Sequence, residues 1–475
     1  MKKWFILLLC WLPFLSTSQV VTVSEDLSIR NNTAYDLIGR LEDRILLYRE
    51  KSSSKFEIQA YDERLRLSWD KTLELDHKKS EVIAVIPNRD QFSIIYRYKK
   101  KGVLYLKANK YDPAANLVDS TTIAQYNHRF MTPKFQVTYS EDKRSVLLFS
   151  IEKQTKVKAL SFNLNNMQLR WDSKFTLTDP SFYTNHMEVL VTNKGDMFFM
   201  VSHNNRKSKR DEHYYEILNC RQGSSKVERM TIPMDGKLSY DVVFSYDNLN
   251  RNLVAGGLYS NKNLNRTNGY FSMKMPVGNP QNYSLNFTPF DDDFVSDLEG
   301  KRIKNTKGIN DVEIREIVLR RDGGMLLVYE MTKLYERRLA SAGRGFGAVD
   351  GLSYTVDYYY DNLFVISVHP DGQTHWKNIL HKKQYSQDDN AAFSSYFLLK
   401  TPSSLRFLFN DEIRYENTVS EYVIKGSGEY DRNSVLSTED QDIRLRFQDA
   451  MQIASNELLV PSERRNQLRL VRVTY

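Results

Sequence analysis

The chain has 475 residues, of which 41% are hydrophobic and 27% charged, with a formal net charge of +8. With 24 Phe, 29 Tyr and only 12 Pro, this composition excludes a disordered chain and supplies a large apolar core. No stretch reaches the ~18 consecutive apolar residues of a spanning helix, and two cysteines are too few for a disulfide framework.

Lys2 and Lys3 precede an apolar run from Trp4 to Leu15, and Ser16, Thr17 and Ser18 follow. A cationic start, a short apolar run and small residues at a cleavage point read as a secretory signal peptide over 1–18. Cleavage before Gln19 is expected, giving a secreted protein of the periplasm or cell surface. Cys10 lacks the small residues that precede a lipidated cysteine. Loss of 1–18 removes two lysines and no acid, leaving +6 and Cys220 as the one thiol. A lone cysteine in a strand-like stretch reads as a small buried hydrophobe.

The rest of the chain is a series of short runs rich in Val, Ile, Leu, Phe and Tyr, at 44–48, 92–96, 146–151, 197–201, 325–329 and 405–409. Polar turns separate them, such as Asn193-Lys194-Gly195-Asp196 and Asp322-Gly323-Gly324. Short strands at regular spacing with turn signals indicate a sandwich, barrel or propeller. Trp69, Trp171 and Trp376 each follow a strand end and a tight polar turn (Asp62-Glu63-Arg64, Asn163-Leu164-Asn165, Pro370-Asp371-Gly372), which reads as one repeated hairpin. Trp69 and Trp171 are 102 residues apart, or two units of about 51, near the length of a four-stranded propeller blade.

That period divides the chain into units at 33–75, 80–123, 130–176, 184–232, 237–290, 309–385, 391–437 and 445–475, each with strands A to D. The last unit lacks a strand, and Val20–Val23 is a strand without a unit. Their pairing closes the ring and removes open sheet edges. The expectation is an all-β propeller of eight four-stranded blades over 19–475, with an insertion at 333–356. Seven blades or two β-sandwiches are the alternatives. The three tryptophans are expected to be buried between neighbouring blades.

These units resemble the blades of secreted bacterial β-propellers. Asp322-Gly323-Gly324-Met325-Leu326-Leu327, Tyr360-Asp361 and Asp371-Gly372-Gln373-Thr374-His375-Trp376 are similar to uncharacterised proteins of Bacteroidetes-type bacteria. The resemblance implies a propeller in the cell envelope and brings no catalytic residues.

No nucleotide, metalloprotease, serine-hydrolase or calcium motif occurs at the required spacing, and no cofactor or metal is expected. Gly343-Arg344-Gly345-Phe346-Gly347 lacks the ending of a phosphate loop. Asp291-Asp292-Asp293 reads as a solvated acidic loop, without the alternating ligands of a calcium cage. The eight histidines are not paired at metal-ligand spacing.

One face carries more information. In a four-stranded meander the B–C turns and D–A links share a face. The B–C turns fall at 49–55, 97–101, 152–158, 204–213, 260–268, 333–356, 411–418 and 462–467. Their lysines and arginines exceed their acids by 13, and seven of the eight are basic. Such a field suits an anionic partner: an acidic polysaccharide, an envelope protein or a lipid headgroup layer. Candidate ligand-binding residues are Arg206, Lys207, Lys209, Arg210, Arg337, Arg338 and Arg344, with Phe346 and Tyr354 adding contact area. The expected function is a non-enzymatic binding or scaffold propeller. The alternative is a glycoside hydrolase or lyase acting on an acidic polysaccharide, with Asp350, Asp388, Asp389 and Asp411 as its candidate acids. Aromatics do not interleave with the basic clusters, which argues against nucleic acid.

Overall fold

The computed structural model describes residues 19–29, 34–52, 55–127, 133–178, 186–206, 211–224, 226–338, 354–411, 418–437, 443–464 and 466–475. In the strand Ser145–Glu152, Val146 and Leu148 pack toward the preceding sheet, while Leu147 and Phe149 pack toward the following one. Successive side chains on a strand point to opposite faces, so a sheet covered on both faces needs an unbroken apolar run. Met197–His203 repeats the pattern, with Met197 and Phe199 facing one neighbour and Phe198 and Met200 the other.

The strands form eight antiparallel sheets, the blades of a β-propeller. Blades one to seven span 35–73, 81–127, 136–176, 187–233, 238–289, 312–387 and 397–437. From blade eight through blade six, neighbouring A strands touch around the axis. Blade eight joins Met451–Ala454, Glu457–Arg464 and Gln467–Thr474 to Val20–Val23, with Val20 opposite Thr474 and Val23 opposite Val471. The two ends of the described chain therefore close the ring, as expected. Eight hydrophobic clusters fill the eight junctions, the last uniting Leu37, Ile45 and Leu47 of blade one with Leu459, Leu468 and Leu470 of blade eight.

The tryptophan hairpin is one structural unit. Asp62 Oδ1 accepts the N–H groups of Arg64 and Arg66, and Asp112 Oδ1 accepts those of Ala114 and Asn116, so a carboxylate pins these two C–D turns, while in blade three the Asn163 amide oxygen accepts Asn165 N–H. Leu65, Ala115 and Met167 then take φ of 56°, 54° and 53°, and Gly372 takes 88° at the matching place. A β-bulge follows, and beyond it Trp69, Trp171 and Trp376 stand opposite Ala60, Ser161 and Ser367. All three lie on the outermost strand and are half-buried. The expected position between blades is present and the expected full burial is not, because an outer strand meets its neighbour blade on one side only. Trp171 Nε1 donates to Gly195 O of the next blade at 2.9 Å, and Trp376 Nε1 donates to Gly426 O at 3.3 Å.

Two other expectations are corrected. Asp291-Asp292-Asp293 is no solvated loop: Asp291 caps the helix Asp292–Glu299 by accepting Phe294 N–H at 2.8 Å, and Asp292 accepts Asn305 and Thr306 N–H groups at 2.7 Å. The insertion of blade six is partly sheet. Its B and C strands, Met325–Arg338 and Tyr354–Val368, run on beyond the blade with Arg338 opposite Tyr354.

Candidate anion-binding face

Blade two shows how a turn presents charge. Strands Phe92–Lys100 and Val103–Tyr111 are joined by Lys101 and Gly102, both at positive φ, the tight turn that matches strand twist. This hairpin holds Lys99, Lys100 and Lys101 exposed at its tip. In blade three Lys153 and Gln154 take φ of 49° and 62°, and Lys153 and Lys156 are exposed. In blade five Lys262 and Arg266 are exposed in the turn, and Arg206 is exposed at the start of the blade-four turn. Among the described residues none of these eight cations has an ion-pair partner.

Other cations of the same turns are already engaged. Lys51 pairs with the buried Glu57. Arg97 holds Glu81 through two nitrogens, at 2.6 and 3.0 Å, and donates to Pro133 O.

Blade six is built differently. Gln384–Gln387 pairs with 357–360 and makes the projecting hairpin three-stranded. Arg337 Nε forms an ion pair with Asp357, whose side chain is 3% exposed. Tyr385 Oη and Gln387 Nε2 also donate to Asp357, at 2.8 and 3.1 Å. The Arg337 guanidinium holds the Asp357 carboxyl below the usual carboxylate range. Tyr335, Tyr359 and Tyr385 form a row beside this pair, with ring centroids 6.0 and 5.1 Å apart.

Beneath the hairpin lies a buried ionic cluster that sequence reading missed. Glu330 and Lys382, both fully buried, meet at 2.7 Å. Arg315 Nε lies 3.1 Å from the same carboxylate, and Ser395 Oγ donates to it at 2.6 Å. Lys382 also donates to Tyr360 O and Gln384 Oε1, each at 2.9 Å, while burial pushes its pKa down. No sequence signal joins residues 52 positions apart.

The blade-four turn is rooted on a second missed group. His213 is 2% exposed, its Nδ1–H donates to His203 O at 2.7 Å, and its Nε2 accepts from Ser239 Oγ at 2.8 Å. Asn205 exchanges two hydrogen bonds with the Ser239 backbone. His203 contacts Glu216, which also takes Arg229 at 2.6 Å. The two histidines bracketing 204–212 were the visible signal.

The sequence candidates are thus divided. Arg206 is exposed and Arg337 is engaged with Asp357. Arg338 and Tyr354 are cross-strand partners in the projecting hairpin. Lys207, Lys209, Arg210, Arg344, Phe346 and Asp350 lie outside the described residues. The remaining candidate acids hold structure: Asp388 Oδ1 accepts Val356 N–H at 2.8 Å, and Asp389 Oδ1 accepts Ser386 Oγ and Ala391 N–H. Asp411 takes Arg432 at 2.7 Å on both oxygens. Cys220 is free and buried, its thiol pushed up to about 11 by burial.

No family model and no curated protein matches the sequence. Solved structures match at low identity and with TM-scores below 0.5. An uncharacterised protein of Listeria monocytogenes is 11% identical, with a TM-score of 0.37, covering 75% of this chain and 83% of its own. The β-propeller domain of the Trilobed protease from Pyrococcus furiosus is 10% identical with a TM-score of 0.37, covering 86% and 98%. The WD40 domain of SCAP from fission yeast is 9% identical with a TM-score of 0.40, covering 94% and 99%. The resemblance to Bacteroidetes-type envelope proteins finds no counterpart among sequence families.

Proposed function

We propose that this protein is a non-enzymatic binding propeller of the cell envelope that holds an anionic polysaccharide or protein on its B–C face. The observation that supports this reading is the set of exposed cations without ion-pair partners at the tips of successive blades: Lys99, Lys100 and Lys101, then Lys153 and Lys156, then Arg206, then Lys262 and Arg266. Cations on separate rigid hairpins sum into one field, and that field steers association more than it supplies affinity from any one contact. In the sequence Lys207, Lys209 and Arg210 follow directly on Arg206 and add their charge to the turn of blade four.

Binding to an array of acidic glycans tests the reading. A variant with Lys99, Lys100, Lys101, Lys262 and Arg266 each changed to Ser is expected to lose most binding, and wild-type binding is expected to weaken steeply with salt. Equal binding by the two proteins at low and physiological ionic strength would leave these side chains as solubility devices.

A further inference from the structure

A second cationic site lies at the axis, on the opposite face from the B–C turns. A strands end there in the A–B turns, which crowd around the mouth of the ring. A cavity of about 270 Å³ opens among them, lined by Gly39 and Arg40 of blade one, Arg89 of blade two, Lys143 and Arg144 of blade three, and Met451 of blade eight. Gly39 has a φ of 100°, and a Cβ there would come within 2.8 Å of Met451 Sδ, so this wall requires glycine.

The two acids of this cavity are held by hydrogen bonds inside the molecule. Glu141 Oε2 accepts Asn248 Nδ2 from the A–B turn of blade five at 2.9 Å. Asp142 Oδ1 accepts Ser140 Oγ at 2.6 Å and Arg144 N–H at 3.1 Å. Arg40 pairs with Glu457 at 2.7 Å. Arg89, Lys143 and Arg144 remain without an ion-pair partner among the described residues. Lys143 is the telling one. Its backbone is fixed at a φ of 56° by the turn, its side chain is half-buried, and its ammonium has no hydrogen-bond acceptor among the described residues. The Tyr139 ring, with its centroid 5.9 Å away, is a weak substitute. Burial pushes the Lys143 pKa down, with Asp36 the opposing charge that it feels and Asp36 itself pushed up by burial. Partial burial disfavours the lysine's charged form, and an anion held at the mouth would favour it again.

We propose that the axial mouth binds a compact oxyanion, the carboxylate or phosphate group of a small molecule, among Lys143, Arg144 and Arg89. A guanidinium recognises either group through paired N–H donors, and the lysine adds a point charge.

Calorimetric titration of the full chain with inorganic phosphate, and separately with succinate, tests the site at fixed ionic strength. Saturable binding that weakens about tenfold or more in Lys143→Gln and in Arg144→Gln is expected. Binding of phosphate alone, succinate alone or both supports the site and identifies the group it takes. Should Lys143→Gln lower thermal stability, Arg89→Gln and Arg144→Gln, at exposed side chains, carry the comparison. A variant with Lys99, Lys100 and Lys101 changed to Ser must bind as wild type does, so that failure of the B–C face reading leaves this one standing. No saturable heat with either anion, or equal binding by the Lys143 and Arg144 variants, overturns the proposal.

Discussion

The B–C hairpins of blades two and three and the projecting hairpin of blade six all carry basic side chains, and they use them in opposite ways. The short turns leave Lys99, Lys100, Lys101, Lys153 and Lys156 in solvent without ion-pair partners among the described residues. The long hairpin ties Arg337 to Asp357 and stands over the buried Glu330–Lys382 pair. At the tips of these two turns no acid among the described residues pairs with a lysine, although Lys51 in the short turn of blade one does reach Glu57. The three-stranded extension gives each of its polar groups neighbours on the adjoining strand. Length and charge of a loop therefore do not measure how much charge it offers to a partner.

The strongest way to break this contrast is to open the ionic cluster of blade six. Glu330→Ala leaves Lys382 buried without its carboxylate, which is expected to lower stability by about 3–5 kcal/mol in urea unfolding. The double variant Glu330→Leu with Lys382→Met, which removes both charges, should recover much of that loss. A single variant as stable as wild type would show that the cluster is not what holds the hairpin base.

Blade four lies between the two extremes, and acid should separate it from both. Burial pushes His213 down to about 4 from 6.5. Between these values the unfolded chain binds a proton that the folded chain does not, so stability is full above pH 6.5 and falls as pH drops toward 4. The loss expected from this group is about 3 kcal/mol. Glu216, held low by His203 and Arg229, follows at lower pH: its contribution is full above 4.5 and fades only below it. Urea midpoints of wild type and His213→Gln, compared from pH 7 to pH 4, check this. Parallel curves would mean that His213 does not titrate as its surroundings require.

Most of the ring was legible in the sequence, for a specific reason. Blades covered on both faces need unbroken runs such as Val146-Leu147-Leu148-Phe149, and these runs stand out between polar turns. The tryptophan repeat was legible because a carboxylate or amide, a left-handed residue and a bulge are all local. Its depth was not, since nothing local says which strand lies outermost. Asp291 followed by Phe294, Val295 and Leu298 at helical spacing was a readable cap signal, obscured by the brevity of the helix. The candidate face was legible only as a charge count. Which cations are free depends on partners such as Asp357 for Arg337, and the pairing of strand positions 20 residues apart decides that.

The smallest expected effect is also the sharpest test of the contrast. Changing Lys99, Lys100 and Lys101 to Ser removes three exposed side chains that make no ion pair among the described residues. Surface changes of this kind alter stability by no more than ~0.5 kcal/mol each. Easing the repulsion among three adjacent lysines should offset part of any lost packing. The urea midpoint should therefore barely move, while the salt-dependent part of binding to an acidic polymer falls. If the midpoint drops as far as it does in Glu330→Ala, the tips of the short hairpins are structural after all. Free charge on blade two and engaged charge on blade six would then be one and the same arrangement.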